Sequence, residues 1–144
     1  MRALVASSAL AVGLAFAFVP TPASADAPAL ALQASLTCTP ASEAGRVRCE
    51  VLAQVPGAQI SWADAEILAV PDHITPLKGR IGPRDAALKE PQMWRLSLAL
   101  VARRAGQGPV VVRVRVVACQ TVDGKPQQCV PLTVEATGQV KVGQ

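Results

Sequence analysis

Apolar and polar positions alternate through most of the chain beyond residue 35. Leu36 and Cys38 share one parity, and Val47, Cys49, Val51, Ala53 and Val55 form one face of the next segment. Arg46, Arg48, Glu50 and Gln54 form its other face. A period of two marks half-buried β-strands. Ile60, Trp62 and Asp64 keep one parity while Ala63, Ala65, Ile67 and Ala69 keep the other. The apolar set changes side there, which predicts a bulge or a strand end near Trp62. Trp94, Leu96, Leu98 and Leu100 alternate with Arg95, Ser97 and Ala99, and Val110, Val112, Val114 and Val116 with Val111, Arg113, Arg115 and Val117. Segments over 132–136 and 139–142 follow, split at Gly138. Pro56-Gly57, Gly106 to Pro109 and Asp123-Gly124 are turn signals between these runs. The expected fold is all-β, an antiparallel sandwich of about seven strands.

Pro71 to Pro91 breaks the alternation. Pro71, Pro76, Gly79, Gly82, Pro83 and Pro91 punctuate it, and it reads as a long loop with at most one short strand around Leu77 to Ile81. Long loops in compact domains often carry function. Lys78, Arg80 and Arg84 are therefore its candidate binding residues, set against a plain solvated connector. His73, the one histidine, reads as an exposed loop residue beside Asp72.

The start of the chain changes the picture of where the domain works. Arg2 precedes an apolar run from Leu4 to Val19, and Ala23-Ser24-Ala25 follows Pro20 and Pro22. That order is expected of a secretory signal peptide over 1–25, cut before Asp26. Residues 26–34 are expected to be a loose lead-in and 35–144 the sandwich domain. The expected location is periplasmic or secreted, with no membrane insertion after cleavage.

The formal net charge of +4 on 144 residues is mild, and no polybasic run accompanies it. That argues against nucleic acid as a partner. No nucleophile elbow, glycine-rich phosphate loop or metal-ligand spacing is present, so neither hydrolytic chemistry nor a cofactor is expected. Four cysteines remain, Cys38, Cys49, Cys119 and Cys129, and an even count in an exported small domain implies two disulfides. Four cysteines allow three pairings. Strand alternation favours Cys38–Cys49 and Cys119–Cys129, both local. The rival pairs Cys49 with Cys119, because Cys49, Trp62 and Cys119 have immunoglobulin-like spacing. Cys119 shares the parity of Arg113 and Arg115 and is expected at an exposed face or strand end.

The run from Gln54 through Trp62 to Ile67, followed by Val110 to Cys119, Cys129 and Pro131, resembles the amino-terminal periplasmic domain of the DsbD-type thiol–disulfide interchange reductases. The resemblance implies an immunoglobulin-like sandwich. By position it implies that Cys119 and Cys129 are a redox pair; Cys38 and Cys49, a second pair outside the family's pattern, are expected to form a structural disulfide. It also implies a thioredoxin-like or other envelope protein as partner. Two functions are expected from this reading. One is a binding or structural module of the bacterial cell envelope, with all four cysteines as staples. The other is thiol–disulfide exchange through Cys119–Cys129, which would make the protein an oxidoreductase.

Overall fold

The alternating segments all form strands in the computed structural model, which describes residues 29–143. The expected signal peptide over 1–25 lies outside the described residues. The described residues form nine strands in order: β1 Gln33–Cys38, β2 Gly45–Gln54, β3 Gln59–Ala69, β4 Ile74–Pro76, β5 Arg80–Ile81, β6 Ala86–Glu90, β7 Met93–Ala102, β8 Gly106–Val122 and β9 Lys125–Val142. One sheet runs β1-β2-β7-β4, with β6 also on β7; the other runs β5-β3-β8-β9. All the named pairings are antiparallel. This is an immunoglobulin-like sandwich, with β1, β2, β7 and β4 as strands A, B, E and D and β3, β8 and β9 as C, F and G.

The core is the alternation made physical. Val47, Val51, Leu96, Leu98 and Leu100 of one sheet face Val110, Val112, Val114 and Val116 of the other, all essentially excluded from solvent. Each such side chain contributes on the order of 1.5–3 kcal/mol by leaving water. The expected bulge lies between Ile60 and Trp62, where the β3–β8 register shifts. It turns Ile60 inward, and Ala63 and Ala65 after it, while Trp62 and Asp64 move to the outer face.

Three expectations are corrected. Pro71 to Pro91 is not one long loop. β4 and β6 are two halves of strand D on the same edge of β7, and between them the chain crosses to the other sheet as β5. A 3-10 turn over Pro83–Asp85 brings it back. Strands of two to five residues show no period, and proline and glycine hid them. Gly138 does not split the last strand. A Cβ there would lie 2.5 Å from the Leu36 carbonyl oxygen, so glycine lets β1 lie directly on β9. Beyond β1, Ala41 donates its N–H to the Lys141 carbonyl and accepts from Gly143, sealing this edge. Residues 29–34 are no loose lead-in either. β1 begins at Gln33, and Leu30, Leu32 and Ala34 pack against the core.

Candidate functional site

β8 and β9 are 17 and 18 residues long and outrun their neighbours. The last partner of β8 on β3 is Gln59, opposite Cys119. Past that pair the hairpin stands on two strands, and every residue from Thr121 to Cys129 is exposed. Its tip turns on Asp123 and Gly124, with φ of 53° and 75°. Two successive positive φ values make the type I′ turn that suits the twist of a hairpin, and Asp-Gly is a preferred sequence for it.

Cys119 and Cys129 are bonded where this projection leaves the sheet, and Cys38 is bonded to Cys49. The local pairing therefore holds, and Cys49 does not reach Cys119. Each bridge joins residues that face each other directly across an antiparallel pair. Their settings differ. Cys38 and Cys49 belong to the core, on its inner parity. Cys119 and Cys129 lie on the outer face, in line with Arg115 and Val117. The expected exposure of Cys119 is corrected: it is only 3% exposed, whereas Cys129 is open to solvent. Parity assigns a residue to a face but not whether that face is covered. Here β3 and β9 flank Cys119 on both sides, and β9 at Cys129 is flanked on one side only. Trp62 and Pro131 are the register partners of Val117, so an apolar strip borders the bridge.

The rest of this outer face is a charge ladder that crosses all four strands. Asp64 of β3 is 2% exposed and takes a two-pronged hydrogen bond from Arg115 of β8, the Nε limb at 2.9 Å. Arg80 of β5 stands 3.7 Å from Asp64 and 3.5 Å from Glu66. Arg113 stands 3.7 Å from both Glu66 and Glu135, the latter on β9. Three carboxylates meet three guanidiniums, so the ladder is neutral. The hydrogen-bonded Asp64 carboxylate holds the Arg115 guanidinium above its ordinary pKa, helped by the charges of Asp64 and Glu66. Arg115 also lies 5.8 Å from the Trp62 ring centroid, within cation–π range. Asp64, Glu66 and Glu135 were not singled out from the sequence. The signal was there, since acids alternate on β3 as Arg113 and Arg115 do on β8, but only the register shows that they meet.

The three candidate loop cations do not share a partner. Lys78 donates to Asp85 at 2.5 Å, and Arg80 belongs to the ladder. Arg84 is exposed on the 3-10 turn, with no ion pair among the described residues. The Lys78 hydrogen bond, with the Gly82 N–H behind it, holds Asp85 below the usual carboxylate range. His73 is corrected from exposed to buried. Its ring lies against Gly106, its Nδ1 is 3.6 Å from Asp72, and its Nε2 has no partner.

These features define a class: an immunoglobulin-like sandwich with one disulfide in its core and another at the root of a projecting hairpin. No protein-family model and no curated protein matches the sequence. Among solved structures, the crystal structure of BslA, a bacterial hydrophobin, is similar at 13% identity, covering 76% of this chain and 94% of that one, with a TM-score of 0.32. A likeness at that level supports no statement about what this chain does.

Proposed function

We propose that the protein is an exported binding module of the bacterial cell envelope and that the β8–β9 hairpin is the element it presents. The supporting observation is the position of the Cys119–Cys129 bridge. It closes the hairpin where the flanking strand β3 ends, so the exposed tip is held in one shape before any partner arrives. Pre-ordering a binding element lowers the entropy lost on association. Export fits the signal-like first 25 residues and two formed disulfides, which persist in oxidising compartments. A photo-crosslinking residue at Val122, on the tip, tests this in cells that export the protein. A discrete adduct from Val122 that is missing from the same probe at Thr37, on β1, supports the reading. Equal labelling from both positions, or from neither, removes it.

One observation favours the second reading, thiol–disulfide exchange. Of the four half-cystines only Cys129 is exposed, so an incoming thiolate would attack Cys129 Sγ and release Cys119 as the thiolate. The products would be a mixed disulfide on Cys129 and a reduced Cys119. Equilibration in graded thiol buffers separates the two readings. A staple resists reduction below about −300 mV, and an exchanging pair titrates near −180 to −270 mV with Cys38–Cys49 intact.

A further inference from the structure

The outer face of the other sheet has the opposite electrostatic character. Ser97 and Ala99 of β7 are small, and they floor two adjoining cavities. One, of about 200 Å³, is walled by Arg46, Arg48 and Glu50 of β2. The other, of about 210 Å³, is walled by Leu77, Lys78 and Asp85 on the far side of β7. Because they share Ser97 and Ala99, they are two halves of one trough running across the strands. It crosses about two strand spacings, ~10 Å, the reach of roughly three extended residues.

Its charge is unbalanced. Glu50 is held by Arg95 at 3.8 Å and Asp85 by Lys78, so both carboxylates are already engaged. Arg46 and Arg48 have no carboxylate partner among the described residues. Nor has Arg103, whose Nε and Nη2 donate to the Thr75 hydroxyl at 3.1 and 2.7 Å. Thr75 and Arg46 flank Val101 on opposite edges of β7, so Arg46 and Arg48 mark the β2 side of the trough, and Arg103 stands across β7 from them, outside its lining. Leu77, 51% exposed, supplies an apolar wall at the other side. Among the described residues no aromatic ring lines the trough, so they offer no platform on which a sugar would stack.

We propose that this trough binds an extended acidic peptide segment of a partner protein. Its carboxylates are taken by Arg46 and Arg48, and an apolar side chain lies against Leu77 over Ser97 and Ala99. The site is independent of the hairpin and of its disulfide. Small side chains admit the peptide backbone, and planar guanidiniums suit carboxylates in a two-pronged contact.

The test uses the oxidised protein without its signal segment and a fluorescent peptide of about eight alternating glutamates and leucines, followed by anisotropy. Arg46→Gln with Arg48→Gln should weaken binding about tenfold or more. Ala99→Leu, which fills the floor without changing charge, should do the same. Leu77→Ser serves as a second uncharged variant if Ala99→Leu does not fold. Lys141→Gln, on β9 at the end of the other sheet away from the hairpin tip, should change binding by less than about twofold. Equal binding of a glutamine–leucine peptide overturns the proposal, as does an unaltered affinity in the arginine variant. Loss in the arginine variant alone, with both uncharged variants binding normally, also overturns it, since diffuse surface charge then suffices. Tighter binding of a sulfated polysaccharide at the same arginines would assign the trough to a glycan instead.

Discussion

Removing each disulfide in turn separates what the two bridges do. Their cysteines are 11 and 10 residues apart, so in the chain-entropy account each restricts the unfolded state by about 3 kcal/mol, and nearly equally. Any difference between them must come from the folded state. Cys38→Ala with Cys49→Ala also takes two buried sulfurs out of the core, at about 1 kcal/mol each. Cys119→Ala with Cys129→Ala takes away one buried and one exposed sulfur from the outer face. The expected losses are therefore about 5 and about 3–4 kcal/mol, against a total stability of roughly 5–15 kcal/mol for such a domain. Urea titration followed by tryptophan fluorescence reads both, because Trp94 is buried in one sheet and Trp62 is half-exposed on the other. In the second variant, amide hydrogens of 120–128 should exchange faster while those of β2 and β7 do not. An equal or reversed order of stability would refute the reasoning, and so would a loss far below ~3 kcal/mol from either pair.

Other substitutions probe the edges and the ladder. Gly138→Ala pushes a methyl group into the Leu36 backbone, an overpacking of about 1–3 kcal/mol, partly offset by ~0.5–1 kcal/mol from a stiffer unfolded chain. A net loss of about 1–2 kcal/mol in urea is expected, and a gain would show that β1 does not lie on β9. Asp85 has a depressed carboxyl pKa, so its contribution is complete above the unfolded value near ~3.9 and is lost as pH falls through the folded value. Asp85→Asn should be the less stable protein at pH 7 and should converge with the parent once pH has fallen below the folded value, as read by thermal melts from neutral into acid pH. Arg115→Met leaves the buried Asp64 with Arg80 alone at 3.7 Å and should destabilise. Adding Asp64→Leu should restore part of that loss, because no carboxylate then stays buried without its partner.

The sandwich was legible in the sequence wherever a strand was long enough to alternate. β2, β7 and β8 run ten residues or more and bury every second side chain, and the bulge at Trp62 showed as a change of parity. β4, β5 and β6 were hidden because two to five residues cannot establish a period and their prolines and glycines resemble loop signals. Gly138 was misread for a related reason. A glycine inside a strand pattern marks either a break or a close approach by another backbone, and only the position of Leu36 decides which. Both disulfides could be paired from parity because their partners are neighbours along a hairpin. The burial of Cys119 depends on strands on either side of it, one of them sixty residues away in sequence.

The two outer faces show why a shared fold leaves function open. Both carry arginines at alternate positions of a central strand, Arg46 and Arg48 on β2 and Arg113 and Arg115 on β8, and the sequence offers no way to rank them. The register ranks them. Asp64 and Glu66 lie opposite Arg115 and Arg113, so that face satisfies its own charges. Arg48 lies opposite Ala99 and Arg46 opposite Val101, so those guanidiniums are left facing solvent over small or apolar neighbours. A guanidinium already bridged to a buried carboxylate must break that bridge to bind anything else, and it leaves the carboxylate unpaired when it does. An unpartnered one has no such penalty to overcome. An acidic ligand added to this protein should therefore shift the NMR signals of β2 and β7 and leave those of β3 and β8 in place, although both faces carry the same alternation of arginines.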